Sequence, residues 1–225
     1  MPNAGALDSP AGVAPASDAE RGLWVLPPLG LLPKEGAGAM RVMIVLGSRN
    51  PQGQTASAAG ALGEGLQDAG GEGERVLLPT KRIERCRQCD ANGWGTCRSE
   101  GRCTIEDDDF AGIVERLRAA DAVVFATPVY FSDLSESMRA FLDRLRRITR
   151  HEAGKAGVGG KPAVGICVAG GGGGGAPPCA VSLEKVLGTC GFDVLDMVPA
   201  RRQNLELKLD VLRATGKWLA EAAPS

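Results

Sequence analysis

The chain is poor in aromatic residues, which make up 4% of its 225 positions, and it contains a single histidine. It has no excess of either charge: 26 bases stand against 27 acids, a formal net charge of -1. A dedicated nucleic-acid binder carries a basic excess, so nucleic acid is not an expected partner. No apolar run approaches the roughly 18 residues that span a bilayer, so no membrane partner is expected either. There is no basic start leading into an uninterrupted apolar stretch, the mark of a secretory signal. The seven cysteines are an odd number, which argues against an extracellular disulfide framework and for a reduced, cytoplasmic setting. Hydrophobic residues reach 44% and charged ones 24%, enough for a packed core. The length suits one large domain, or one domain and a tail. Glycine is abundant, at 32 residues, which is expected where a backbone approaches something closely.

Residues 1–39 differ from the rest. They are rich in Ala, Gly and Pro, and their apolar cluster from Leu23 to Pro33 is interrupted by prolines that break helix and strand alike. This segment reads as a disordered N-terminal extension, and Met40 as the natural start, because the first strand follows at once.

From Met40 the pattern alternates. Short apolar runs at Arg41–Gly47, Arg75–Leu78, Asp121–Thr127, Lys161–Ala169 and Phe192–Val198 read as five buried strands. Helices are expected over Thr55–Ala69 with Thr55 as N-cap, Asp107–Ala119, a stretch starting at Asp133, Val181–Leu187 and Leu205–Ala220. Asp133 with Glu136 reads as a capping box for the third of these, whose apolar stripe is Leu134, Met138, Phe141, Leu142 and Leu145. Buried strands separated by helices imply a doubly wound α/β fold around a five-stranded parallel sheet. Ligands in such sheets sit beyond the carboxyl ends of the strands, so the loops after strands one, three and four are the ones to search.

The first loop, Gly47–Thr55, enters a helix N-terminus. Exposed amides and the helix dipole suit a phosphate there, with Ser48 and Thr55 as hydroxyl donors and Arg49 as a cation. It is neither a Walker loop nor a Gly-x-Gly-x-x-Gly fingerprint, and an ordinary polar loop is the alternative. The second, Thr127–Asp133, has Pro128 stiffening the exit from the strand and Tyr130 and Phe131 offering an apolar, aromatic wall for a flat heteroaromatic ring. Simple packing of both rings on the core is the alternative. In the third, Gly170–Gly175 lets the backbone approach a ligand edge; a low-complexity linker is the other reading.

Four cysteines fall in the long polar stretch 80–106, spaced Cys86-x2-Cys89-x7-Cys97-x5-Cys103 and followed by the acidic run Glu106–Asp109. Four thiolates could form a tetrahedral sulfur shell. The spacing misses the paired ends of a zinc ribbon, so a cluster, zinc and free thiols all stand as readings. Cys167, Cys179 and Cys190 read as buried, inert thiols.

Taken together, Gly47-Ser48-Arg49, Gly53-Gln54-Thr55, Thr127-Pro128-Val129-Tyr130-Phe131, the run Met138–Arg144 and the glycine tract resemble, in order, the motifs of the NAD(P)H-dependent FMN reductase and iron-sulfur flavoprotein family. Gln54 stands where that family usually has Asn, and the proline before Arg49 is absent. The resemblance covers about residues 40–200. It implies a flavodoxin-like fold with strand order 2-1-3-4-5. Carried over by position, Ser48, Arg49, Gln54 and Thr55 would hold the FMN phosphate. Pro128, Val129, Tyr130 and Phe131 would border the ring, and Gly170, Gly171, Gly172 and Gly173 would line its pyrimidine edge. The family also has members with a 4Fe-4S cluster in the position of Cys86, Cys89, Cys97 and Cys103, with a shorter middle gap than here.

The expected activity is therefore FMN-dependent transfer of electrons from NAD(P)H to a small-molecule or protein acceptor, with flavin-borne chemistry, no catalytic side chain, and a cluster as a candidate relay. His151 is given no catalytic role. In similar proteins the region after the second loop lies at a subunit interface, which implies a homodimer or homotetramer. A metal-binding or redox-sensing protein without turnover is the alternative, and a phosphate-binding module without redox chemistry a third.

Overall fold

The computed structural model describes residues 39–221. The expectations of a disordered extension and of a start at Met40 concern residues that lie, apart from Ala39, outside that range.

The first strand, β1 (Arg41–Leu46), leads to helix α1 (Gln54–Asp68) and strand β2 (Glu72–Leu77). A long stretch with one short helix, α2 (Thr96–Ser99), precedes helix α3 (Phe110–Ala119). Then come β3 (Ala122–Tyr130), the two-residue β4 (Asp133–Leu134), α4 (Glu136–Thr149), β5 (Pro162–Ala169), α5 (Ala176–Cys190), β6 (Asp193–Arg201) and α6 (Leu205–Glu221). The parallel strands lie in the order β2-β1-β3-β5-β6, and β4 pairs antiparallel with β3 off this path. With β4 set aside, that is the expected order 2-1-3-4-5.

The alternation of side chains along a strand divides the core in two. On β1, Met43 and Val45 join Phe110, Phe141 and Leu187 of α3, α4 and α5 on one face. Val42, Ile44 and Leu46 join Leu62, Leu66 and Leu212 of α1 and α6 on the other. The pairing of α1 with α6 depends on small residues. A Cβ at Gly65 would lie 1.9 Å from the Arg213 carbonyl oxygen, and one at Gly216 would lie 2.0 Å from that of Leu62. The two backbones are therefore in contact.

Strand β2 starts at Glu72 rather than Arg75, α3 at Phe110 rather than Asp107, and β6 runs on to Arg201 rather than ending at Val198; four further differences bear on the helix starts and loops. Strand β3 does not stop at Thr127 but runs on through Pro128 to Tyr130. Its partner β1 ends opposite Ala126, so Pro128 sits where β3 has a neighbour on one side only and a missing N–H is tolerated. Asp133 does not start α4; it belongs to β4, and Ser135 is the cap. Thr55 does not cap α1, because the N-cap is Gly53 and no side chain caps that helix. Helix α5 begins at Ala176, five residues earlier than expected, because Pro177 and Pro178 fall in its first turn, where a helix accepts proline. No helix among the described residues is long and apolar enough to cross a membrane.

Candidate functional site

The loops after β1, β3 and β5 enclose one cavity of about 540 Å³ at the carboxyl edge of the sheet, within the range of small-ligand pockets. Ser48, Gln54 and Thr55 line it from the first loop, Pro128, Val129 and Tyr130 from the end of β3, and Gly170, Gly172 and Gly173 from the glycine tract. Three expected residues are not on its wall. Arg49 is exposed to solvent. Phe131 is fully exposed, and the Gly171 carbonyl instead accepts a bond from Gln203 Nε2 at 2.9 Å. Val168, Ala169, Gly174 and Gly175 complete the lining, and no charged side chain contributes to it.

The first loop is shaped by Asn50. Its Oδ1 accepts from the Gln52 amide at 2.9 Å, and its carbonyl accepts from the Gly53 amide at 3.2 Å. This turn delivers the chain into α1, whose first amides have no side-chain cap. Such a helix start presents N–H donors and a positive dipole end to an anion. The Ser48 and Thr55 side chains are buried beside it. An anion placed here would meet amides, hydroxyls and a dipole rather than a guanidinium.

The base of the cavity is tied together by a residue the sequence reading passed over. The Thr127 hydroxyl donates to Ser135 Oγ at 3.2 Å, and Ser135 Oγ donates to the Gly47 carbonyl at 2.9 Å. Ser135 also caps α4 by accepting from the Met138 amide. One serine thus joins the ends of β1 and β3 to the start of α4. Its signal was present, as a serine directly before the apolar stripe, but the Asp133–Glu136 box masked it.

Tyr130 pairs with Asp133 across a two-residue turn, Phe131-Ser132, in which both residues have positive φ (49° and 65°). That is the backbone of a tight hairpin turn normally filled by Asn and Gly. Two ordinary L-residues there carry conformational strain, which the Arg139–Asp133 ion pair helps to hold. The third loop packs on this hairpin: a Cβ at Gly175 would lie 3.0 Å from both Ser132 Oγ and Val129 Cγ1. Gly173 has φ of 77°, and a Cβ there would meet Arg201 at 2.8 Å. At these positions glycine is a steric requirement.

The cysteine stretch folds into a second site. Its two ends are pinned by the acidic run: the Arg82 amide donates to Asp109 Oδ2 at 2.8 Å, and the Glu84 amide to Asp108 Oδ2 at 2.9 Å. Those acids therefore serve the loop backbone. The seven residues between Cys89 and Cys97 are anchored by Trp94. Its ring lies 4.7 Å from the Arg147 guanidinium and 5.0 Å from the His151 ring, while Arg147 Nη1 donates to the Gly93 carbonyl at 2.6 Å. Cys86, Cys89, Cys97 and Cys103 all line one small cavity of about 20 Å³, and the charged side chains on its wall are Arg87, Arg144 and Arg147. The thiols share this wall without converging: among the described residues no three His, Cys, Asp or Glu side chains are gathered closely enough to hold a metal ion.

Beneath this loop lies a buried ion pair. Arg144 of α4 and Asp108 are both almost inaccessible, at 1% and 0% side-chain exposure. Arg144 also donates to the carbonyls of Glu84 and Ile105 at 3.2 and 3.1 Å, and its guanidinium stacks 4.0 Å from the Phe110 ring centre. Burial pushes the Asp108 carboxyl upward, but the bond from Arg144 and the amides of Glu84 and Phe110 more than offset it and hold it below the usual carboxylate range. Cys167, Cys179 and Cys190 are fully buried away from both cavities.

The sequence profile of the NADPH-dependent FMN reductase family matches residues 40–203. The chain belongs to this family. Among characterised relatives, it is 31% identical over 106 residues to an iron-sulfur flavoprotein of Archaeoglobus fulgidus, covering 47% of this chain and 46% of that protein. It is 30% identical over 126 residues to one of Methanocaldococcus jannaschii, covering 56% and 62%. These matches span about half the length of the relatives. Among solved structures, a flavone reductase superposes with a TM-score of 0.62 at 17% identity, covering 81% of this chain and 62% of that one. An NAD(P)H:quinone oxidoreductase from Methanothermobacter marburgensis gives 0.60 at 23%, covering 81% and 96%. An archaeal flavodoxin gives 0.53 at 13%, covering 81% and 97%. The fold is thus flavodoxin-like. Within this FMN reductase family member, the three motif loops form one cavity, and the cysteine loop forms a separate one.

Proposed function

We propose that this protein is an FMN-dependent oxidoreductase that passes electrons from NAD(P)H to a small-molecule or protein acceptor. The observation that carries the reading is the convergence of three loops, far apart in the chain, on one cavity with two chemically distinct ends. At one end Ser48, Thr55 and the first amides of α1 bind an anion. At the other, Val129 and Tyr130 give an apolar wall, and the Gly172–Gly175 backbone lines the same space, held there by close packing at Gly173 and Gly175. FMN has the matching parts, a phosphate and a flat ring. When bound, it supplies the transfer of hydride and electrons, and the protein residues position it and keep water from the ring's buried face.

A tetrathiolate centre at Cys86, Cys89, Cys97 and Cys103, a 4Fe-4S cluster as in the names of the relatives, is part of this reading. The donor types, four thiols with arginines as the charged neighbours, suit an anionic metal–sulfur group, but as folded the thiols do not converge on one point. The cavity holds a water-sized group as it stands, so a cluster would spread the loop. We also propose a homodimer or homotetramer, because the strained hairpin holds Phe131 fully exposed beside the FMN cavity, where a second copy would cover it.

The test is spectroscopic. Purified protein incubated with FMN should retain the flavin's two visible bands after gel filtration, and anaerobic NADH or NADPH should bleach them. A colourless protein that takes up no FMN would refute the assignment, and one that then binds iron or zinc would be a metal-binding or redox-sensing protein. Light scattering at micromolar concentration should give a dimer or tetramer, and Phe131→Ser should shift it towards monomer. A flavin-loaded monomer in the wild type would refute the assembly.

A further inference from the structure

Helix α6 carries two apolar faces. One, with Leu212, Gly216 and Leu219, is buried against α1 and the sheet. The other consists of Leu207, Val211, Ala214 and Trp218 and faces solvent, with Leu207 63%, Val211 39% and Trp218 42% exposed. A further exposed apolar residue, Leu195, lies on β6, the edge strand that α6 packs against. A surface helix needs one apolar stripe for its core, so a second stripe marks a second partner. The steps of four, three and four residues along it are those of a coiled-coil seam, whose flanking charges select the partner and its direction. One flank here carries Asp210 and Lys217, both exposed. Asp210 Oδ1 accepts from Arg213 Nη1 at 2.9 Å, which leaves Oδ2 to a further donor.

We propose that this face of α6 is a contact between two copies of the chain, their α6 helices packed antiparallel about a two-fold axis midway along the stripe. In that register Leu207 packs against Trp218 of the second copy, and Val211 against Ala214 of the second copy. Large side chains meet at the ends and small ones in the middle, where the helices come closest. Asp210 then faces Lys217 of the second copy, and the symmetry makes this pair twice. A parallel pairing would set Asp210 beside Thr215 and gain no ion pair. The face is complementary to itself, which selects a second copy over an unrelated partner. The Phe131 hairpin packs on Gly175 at the start of α5, and α5 and α6 lie on opposite faces of the sheet, so contacts at the two places do not compete. The α6 contact rests neither on bound flavin nor on the contact proposed at Phe131.

Sedimentation equilibrium of the full-length protein reads both contacts. Phe131→Ser should remain a dimer, held by α6. Phe131→Ser/Trp218→Glu should be a monomer, because the seam would bury a charge in each copy and the dissociation constant should rise about a hundredfold or more. A charge exchange tests the register without touching the apolar stripe. In the Phe131→Ser background at low salt, Lys217→Asp sets like charges opposite one another twice and should raise the dissociation constant about tenfold. Adding Asp210→Lys should return it to within about twofold, which requires that position 210 of one copy face position 217 of the other. Both effects should fade at high salt. A monomeric Phe131→Ser protein overturns the inference and leaves the Phe131 contact standing. A dimer that Trp218→Glu splits and Phe131→Ser does not leaves the inference standing and overturns the Phe131 contact. A monomeric wild type overturns both. Absence of recovery in the charge exchange overturns the α6 pairing. If Trp218→Glu lowers the melting temperature while the mass stays unchanged, a segment of the same chain covers the face and the inference fails.

Discussion

Thr55→Ala tests the proposed anchoring of an FMN phosphate apart from every other role of the first loop. Thr55 lies at the second position of α1, with its side chain buried and lining the cavity formed by the three loops, and it does not cap the helix. The substitution therefore leaves the helix start intact, and the melting temperature should change little. It removes one hydroxyl donor to a charged oxygen, an interaction of about 1.5–3 kcal/mol. FMN affinity should fall about tenfold to a hundredfold. Ser48→Ala should behave in the same way. Arg49→Gln should not: its side chain is exposed and off the cavity wall, so screening by solvent leaves an effect of about twofold at moderate salt. Isothermal titration of the apoprotein with FMN and with riboflavin measures all of this. Riboflavin lacks the phosphate, so it should bind the wild type and Thr55→Ala alike. If Thr55→Ala weakens both flavins equally, the loop is not a phosphate site. If Arg49→Gln costs as much as Thr55→Ala, the anion is held by the guanidinium and not by the helix start.

Gly65→Ala should destabilise the fold by about 1–3 kcal/mol or more, because its Cβ meets the Arg213 backbone at 1.9 Å. Gly112→Ala, in α3 with open space around it, should stabilise by about 0.5–1 kcal/mol; urea denaturation of the pair reads both signs. Asp108→Asn should cost about 3–5 kcal/mol, since it leaves the Arg144 charge buried and uncompensated. Because the folded Asp108 pKa is depressed, its contribution is fully present above the unfolded value near pH 4 and is lost as pH falls through the lower folded value. Acid titration of stability should therefore be flatter in Asp108→Asn than in the wild type. In metal-free protein, iodoacetamide at pH 8 should modify the exposed Cys89 and spare Cys190, whose thiol burial pushes up to about 12. Peptide mapping showing Cys190 modified as fast as Cys89 would contradict the burial argument.

The parallel sheet and the three loops at its carboxyl edge were legible in the chain because their signals are local, whereas the strand order came only with the family resemblance. A buried strand between helices is an uninterrupted apolar run, and a doubly wound sheet places its ligand loops by topology alone. The glycine tract and the Pro-Val-Tyr run were legible for the same reason. What the chain alone did not decide depends on partners distant in sequence. Strand β3 continues past Pro128 because β1 has already ended beside it, and no property of Pro128 says so. Arg49 and Phe131 belong to the right motifs, yet the fold of the loop around Asn50 and the hairpin turn carry both away from the cavity. Ser135 matters because Gly47, 88 residues earlier, lies within reach of its hydroxyl. The sequence placed four cysteines in one loop. It took the tertiary fold to set them on one wall with arginines, to give the acidic run the work of pinning the loop, and to bury Arg144 beside Asp108. Burial and the count of filled hydrogen bonds are properties of packed neighbours, and only the folded chain has them.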